Sequence, residues 1–194
     1  MTGTQLGARF HQALAFASLL HQEQRRKGAE PVPYVVHLLG VCAIVLENGG
    51  SEDEAIAALL HDAVEDQGGL KTAERIRAAF GDNVARIVLA CSDATSVPKP
   101  PWQERKQGYH ARLRTADVST QLVSAADKLD NLRSIQRAVA REGDGYWEIF
   151  NASKSDSLWN YRTLAQIYLA SHDARVLNVA RQVDALVGQF EHAV

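Results

Sequence analysis

The chain has 194 residues, of which 46% are hydrophobic and 23% are charged. This length fits one globular domain with a substantial buried core and leaves no room for a second catalytic domain. The formal net charge is only −2, so an anionic ligand must be held by a local group of cations or by a metal. We therefore do not expect nucleic acid as a partner.

The cysteines and the hydropathy pattern indicate where the protein resides. Cys42 and Cys91 show neither a CxxC motif nor zinc-ligand spacing, and we interpret them as reduced thiols. The longest apolar stretch, residues 35–46, is too short to span a bilayer, and the first residues lack a signal-peptide pattern. We expect a cytoplasmic protein with no membrane partner.

Apolar residues recur at three- and four-residue steps along most of the chain, which predicts a succession of helices separated by turns rich in Gly and Pro. The predicted helices cover residues 5–22, 34–47, 51–64, 72–80, 84–91, 102–114, 118–139 and 157–169. Residues 84–91 fit either a helix or a buried strand, and we favour the helix because the neighbouring segments are helical. The three prolines within residues 96–101 predict an exposed loop.

The predicted architecture is all-α, a single helical bundle that occupies residues 1–194. Its core is expected at residues 5–170, followed by a C-terminal helix at 173–191. We find no internal repeat and no convincing strand. The segment 143–157 is distinctive, but we assign no role to it.

Four ionisable side chains end the otherwise apolar run 57–66, namely His61, Asp62, Glu65 and Asp66. Burying ionised carboxylates beside imidazoles costs several kcal/mol unless a counter-charge offsets it. A divalent cation is the simplest source of that charge. This run therefore predicts a metal site.

Further ligands are predicted where a polar residue interrupts another apolar helical run, at His37 and Asp127. His61 and Asp62 are adjacent on the predicted helix, about 100° apart, so both can contact one ion. Any one of these residues alone is more often a hydrogen-bonded core or capping group. Together, two imidazoles and two carboxylates suit one Mn²⁺ ion or a similar first-row ion per subunit better than structural zinc.

Glu65 and Asp66 follow His61 and Asp62 by four residues, so on a continued helix they share the faces of those two ligands. We expect them to orient or deprotonate a water that attacks the substrate. The alternative is a solvated helix end. An acidic pair at a helix C-terminus opposes the macrodipole, which counts against that alternative.

Three motifs occur in a fixed order: Arg26-Lys27 ahead of Pro33-Tyr34-x-x-His37, then 61–66 as His-Asp-x-x-Glu-Asp, then 126–131 as Ala-Asp-Lys-Leu-x-Asn. With these motifs the chain resembles the HD-domain metallohydrolases, and among them the small alarmone hydrolases of the RelA/SpoT and Mesh1 type. The resemblance implies Mn²⁺-dependent removal of the 3′-pyrophosphate from guanosine tetra- and pentaphosphate. The products are then GDP or GTP and pyrophosphate.

The resemblance also implies roles for individual residues. The metal ligands are His37, His61, Asp62 and Asp127, and the residues that activate water are Glu65 and Asp66. The nucleotide-binding residues are Arg26, Lys27, Asn131 and, by a looser match, Tyr161.

Other side chains suit a phosphorylated nucleotide on chemical grounds. Arg105 and Lys106 are cations that can reach a pocket mouth or remain solvated surface. Trp102, Trp147 and Trp159 can stack on a purine, although aromatic residues at helical spacing are more often core.

The chain departs from the family pattern at two positions, with Leu38 where many relatives have Pro and Asp130 where His or Tyr is frequent. Asp130 adds negative charge near the expected nucleotide site, so an adenosine 3′-pyrophosphate also stays open as substrate. Two further alternatives are another HD phosphohydrolase, such as a nucleotidase or NADPH phosphatase, and a non-catalytic alarmone sensor. The sequence does not determine whether the protein is a monomer or a homo-oligomer.

Overall fold

The computed structural model describes residues 3–28, 32–94 and 98–192, and in these ranges the protein consists of α-helices, one 3₁₀ helix and their connections. The all-α prediction is confirmed. The α-helices are α1 Ala8–Leu20, α2 Val35–Glu47, α3 Glu52–Leu60, α4 Ala63–Asp66, α5 Leu70–Phe80, α6 Asp82–Cys91, α7 Trp102–Arg114, α8 Val118–Glu142, α9 Lys154–Leu169 and α10 Ala174–His192, and the 3₁₀ helix is Asp144–Ile149.

Most predicted helices are found within a few residues of their expected bounds, and the ambiguous segment 84–91 is helical. One prediction was wrong: the helix expected over 51–64 ends at Leu60, and a turn at His61 and Asp62 separates it from the short α4. The helix expected from 157 begins earlier, because the hydroxyl of Ser153 caps α9 by accepting from the backbone N–H of Asp156. Residues 96 and 97 of the predicted loop lie outside the described residues.

Helix α3 is the centre of the fold. Residues 55–60 are all fully buried, because α1, α2, α6 and α8 pack around this helix. A helix that is apolar on every face is typical of such a central position. Its N-terminus is closed by a capping box in which Ser51 and Glu54 satisfy each other's backbone N–H groups.

Helix α8 is the longest element, with 25 residues and a length of about 37 Å. It packs against α2, α3 and α6 near the centre and against α9 and α10 on the other side. Helix α10 contributes an apolar stripe to that side, in which Val176, Val179, Val183 and Val187 are fully buried. The middle of α8 is thereby held against α2 and the end of α3.

This packing brings together three parts of the chain that carry the predicted metal ligands. They are the first turn of α2, the turn after α3 and the middle of α8. In the described part of the chain, no helix combines the length and the apolar character that a bilayer crossing requires.

Candidate metal centre and nucleotide pocket

The side chains of the four predicted metal ligands converge. Atoms of His37, His61 and Asp127 that can bind a metal lie within 4.8 Å of one another. Oδ1 of Asp127 is 3.3 Å from Nε2 of His37 and 3.7 Å from Nε2 of His61. Oδ2 of Asp62 is 3.0 Å from Nε2 of His61 and 3.6 Å from Nε2 of His37. Two nitrogens and two carboxylate oxygens therefore face one point.

The histidine rings are held in the tautomer that a metal ligand needs. Nδ1 of His61 lies 2.8 Å from the carbonyl oxygen of Ala58, and a carbonyl can only accept, so Nδ1 carries the proton. Nε2 of His61 is buried and has no hydrogen-bond partner among the described residues. A buried ring nitrogen without a hydrogen-bond partner is costly in a core, whereas a bound cation would satisfy it. The residues present therefore fit a divalent cation.

The electrostatics of the cluster also fit a cation. Burial alone would lower the pKa of His37, but hydrogen bonds to the surrounding carboxylates outweigh burial and raise it to about 9. Burial likewise opposes the charged form of His61, yet the negative charges of Asp62 and Asp127 raise its pKa well above the ordinary value. The carboxylates thus strongly favour positive charge at this point, and a divalent ion would supply that charge.

Two residues of the quoted motifs to which no role was assigned from the sequence hold these carboxylates in place. The hydroxyl of Tyr34 donates to Oδ2 of Asp62 over 2.6 Å, and Nζ of Lys128 donates to Oδ2 of Asp127 over 2.5 Å. Tyr34 precedes His37 by three residues, a spacing that places both on one helix face and could have revealed it. Helical spacing does not predict the contact of Lys128 with Asp127, because adjacent helical residues point in different directions.

Glu65 and Asp66 lie beside the metal ligands but have different surroundings. Glu65 accepts from the backbone N–H of Asp93 over 3.0 Å and from Nζ of Lys99 over 2.8 Å. Asp66 accepts from Nε2 of Gln24 over 2.8 Å, and its pKa is raised by burial and by the charge of Asp62. The two carboxylates are therefore supported separately.

Glu65 faces a cavity of about 420 Å³, which we call the cationic cavity. It is lined by Lys27, Lys99, Arg105 and Lys106 and by the aromatic rings of Trp102, Trp147, Phe150 and Tyr161. Asp93 offsets part of this charge, since it accepts from Arg105 and, over 2.9 Å, from Nζ of Lys106. Cations with aromatic rings suit a ligand that has both phosphate groups and a flat base.

Asp66 faces a second cavity of about 320 Å³, which we call the loop cavity. Its lining includes Arg26, Lys27, Asn131 and Tyr161. Lys27 and Tyr161 line both cavities, so the two spaces adjoin each other. The structure therefore places every predicted nucleotide-binding residue at one of these cavities, with Lys106 at the cationic cavity alone.

The aromatic residues divide between pocket and core. Trp147 is buried and packs edge-on against Phe190, although part of it lines the cationic cavity. Trp159 packs against Trp102 and His110 and lines neither cavity. Of the three tryptophans, Trp102 has the most suitable position for a base.

A comparison with protein-family models matches residues 13–157 to the HD domain. This region contains all four converging ligands, and it covers most of the chain. The protein therefore belongs to the HD-domain family.

Within that family, the chain is similar to proteins named guanosine-3′,5′-bis(diphosphate) 3′-pyrophosphohydrolase MESH1. It is 41% identical to the Xenopus tropicalis protein over 130 residues, which cover 66% of this chain and 70% of that protein. It is 37% identical to the Homo sapiens protein over 134 residues, or 68% of this chain and 72% of that protein.

A solved structure supports the same relationship. The structure of a metazoan orthologue of SpoT, described as hydrolysing ppGpp and as playing a role in starvation responses, superposes with a TM-score of 0.79. The match covers 96% of this chain and 98% of that one, at 28% sequence identity. The likeness thus extends beyond the region of the family model to nearly the whole fold.

Proposed function

We propose that this protein hydrolyses the 3′-pyrophosphate of ppGpp and pppGpp, giving GDP or GTP and pyrophosphate, with one Mn²⁺ ion per subunit. The observation that carries this proposal is the convergence of His37, His61, Asp62 and Asp127. Glu65 and Asp66, which follow Asp62 in the chain, face the cationic cavity and the loop cavity. The similarity to proteins named as ppGpp 3′-pyrophosphohydrolases supports it.

The chain supplies ligands for the ion and bases for the reaction. His37, His61, Asp62 and Asp127 would hold the cation, which when bound lowers the pKa of water and offsets phosphoryl charge. Glu65 and Asp66 would orient the attacking water and accept its proton. They follow the proposed ligand Asp62 by three and four residues, and each faces one of the two adjoining cavities. Attack on the phosphorus that is bonded to the ribose 3′-oxygen breaks the bond between these two atoms and releases pyrophosphate.

The cations would bind the substrate's phosphate groups. Lys27 and Lys106 line the cationic cavity, and an ammonium group is suited to a phosphate as a point charge. Arg26 and Asn131 would contact the nucleotide from the loop cavity, and Tyr161 from the boundary between the cavities. We also infer a cytoplasmic location, which the two free cysteines, Cys42 and Cys91, support.

The direct test is product identification. The purified protein is incubated with ppGpp and with an adenosine 3′-pyrophosphate, in Mn²⁺, in Mg²⁺ and in chelator. We expect GDP and pyrophosphate in equal amounts, with turnover lost in chelator. Release of inorganic phosphate without pyrophosphate would instead indicate a different HD phosphohydrolase, and tight binding without turnover would indicate a sensor.

A further inference from the structure

Asp130 contacts one of the proposed metal ligands and one of the proposed nucleotide-binding residues with a single oxygen atom. Its Oδ2 lies 2.6 Å from Nδ1 of His37 and 3.4 Å from Nη1 of Arg26. A carboxylate can only accept, so Nδ1 of His37 carries the proton and its Nε2 faces the metal ligands. Asp130 is therefore directed at His37 and Arg26 rather than into the cationic or loop cavity.

The other oxygen of Asp130 is located by packing against a glycine. Gly40 lies on α2 three residues after His37, and a Cβ atom built there would be 2.4 Å from Oδ1 of Asp130. This is closer than real Cβ contacts, so a side chain at this position would displace the carboxylate. Both oxygens of Asp130 thus have fixed positions, one set by hydrogen bonds and the other by the bare helix surface at Gly40.

The contacts of Arg26 close a ring of interactions around the proposed metal site. Nη2 of Arg26 donates to Oδ1 of Asn131 over 3.0 Å, and Nδ2 of Asn131 donates to Oδ1 of Asp127 over 2.5 Å. Asp130 completes the ring by joining Arg26 to His37. Two proposed metal ligands on different helices, His37 and Asp127, are therefore connected through the loop arginine.

We propose that Asp130 is a positioning residue that orients His37 toward the metal and holds Arg26 at the nucleotide pocket. A carboxylate on the outer nitrogen of a metal-binding histidine fixes the ring and increases its basicity. The same carboxylate neutralises Arg26 and fixes its guanidinium group, which lines the loop cavity. This inference rests on the metal site of the proposed function.

The test measures binding of Mn²⁺ to metal-free protein by calorimetry, with no substrate present. Asp130→Ala should weaken Mn²⁺ binding about 10- to 100-fold. Asp130→Asn should weaken it less, because the amide oxygen still accepts from Nδ1–H of His37. Gly40→Ala should resemble Asp130→Ala, because the new methyl group displaces the carboxylate.

Glu54→Gln is the matched control. Glu54 is also buried and paired with an arginine, Arg175, at 3.1 Å, but it lies about two helical turns before His61 on α3. This variant should keep wild-type affinity for Mn²⁺. Circular dichroism and thermal unfolding of each variant establish that the fold is intact, and Asp130→Asn keeps the side-chain shape if Asp130→Ala does not fold.

The inference would be overturned if both Asp130→Ala and Asp130→Asn bind Mn²⁺ as tightly as the wild type does. An equal loss of affinity in Glu54→Gln would also overturn it, because the effect would then be general destabilisation. If the wild type binds Mn²⁺ and Asp130→Ala does not, but ppGpp is not hydrolysed, the inference stands and the proposed reaction fails. For an active enzyme, Asp130→Ala should also raise KM, since Arg26 loses its support.

Discussion

The two nitrogens of His61 have separate tasks. Nδ1 binds the carbonyl of Ala58 within α3, which fixes the ring without help from any other helix. Nε2 is left without a partner among the described residues, at the point where the carboxylates of Asp62 and Asp127 meet. This residue is therefore positioned by its own helix and is available to a ligand from outside it.

Removing a ligand should remove the metal and the activity together. We expect His61→Ala and Asp62→Ala to lose both Mn²⁺ binding and turnover, because the three remaining ligands of a buried site cannot replace the missing atom. His11→Ala, at an exposed position on α1, is the control and should leave both unchanged. Metal content measured by mass spectrometry and turnover of ppGpp check this, and full activity in either site variant would refute the assigned site.

Glu65→Gln should separate metal binding from catalysis. The amide has nearly the shape of the carboxylate but cannot accept a proton from water, so kcat should fall by about 10²- to 10⁴-fold while Mn²⁺ still binds. Calorimetry and initial rates on the same preparation provide the measurement. Loss of the metal in this variant would show that Glu65 is itself a ligand.

Lys27 should contribute to substrate binding rather than to the chemical step. It lines both cavities, and no ion pair involving it is found within residues 3–28, 32–94 and 98–192. Lys27→Ala should raise KM about tenfold or more, the effect of losing a hydrogen bond to a charged group, with a smaller change in kcat. Lys71→Ala, exposed on α5, is the control. A fall in kcat with constant KM would contradict this role.

The four proposed metal ligands could be predicted from the sequence because each places a charge in an apolar helical run. The groups that support them could not be predicted in the same way. The contact between Asp130 and His37 depends on how α8 packs against α2, which no local spacing encodes. Asp130 was expected to add negative charge near the nucleotide site, and its carboxylate contacts Arg26, which lines the loop cavity. Its contact with His37 was not expected.

At the level of elements, the break between α3 and α4 was the feature that the sequence pattern hid. Residues 57–66 contain neither Gly nor Pro, so local propensity favours one continuous helix. The helix nevertheless ends at Leu60, where His61 and Asp62 meet partners from α2 and α8. Tertiary contacts decide this boundary.

Two glycines allow a test of how helix connections are built. Gly81 links α5 to α6 with φ +92° and ψ 168°, a conformation that is essentially restricted to glycine and costs other residues about 1–3 kcal/mol. Gly81→Ala should therefore lower the free energy of unfolding by about that amount, without changing the activity of folded protein.

The matched variant is Gly188→Ala, within α10. A Cβ there would make only ordinary contact, 3.8 Å from Nη2 of Arg162, so alanine should raise the free energy of unfolding by about 0.5–1 kcal/mol. Urea unfolding of both variants measures the difference. Equal effects of the two substitutions would contradict the backbone argument.

For the whole molecule, stability without metal should depend on pH through the ligand cluster. In the folded protein the pKa of His37 is about 9, raised from 6.5 because hydrogen bonds to carboxylates outweigh burial. The folded state thus binds this proton more tightly than the unfolded chain. Its contribution to the free energy of unfolding is complete below pH 6.5 and is lost as the pH rises through about 9.

Thermal unfolding in chelator should consequently show Tm falling across this interval. Saturating Mn²⁺ should reduce the fall or reverse it, because the cation takes the place of the proton and binds only the folded state. His37→Gln, which has no titrating ring, should show a flatter profile in chelator. A Tm in chelator that stays constant from pH 6.5 to 9 would contradict the assigned cause.

The burial of residues 55–60 of α3 affects how the proposed metal site binds its ion. Residues 55–60 are surrounded by four other helices, so we expect their backbone to belong to the slowest-opening part of the molecule. His61 is attached to the end of that helix. The site is therefore organised before any cation arrives, and little of the free energy of binding is consumed in ordering the chain.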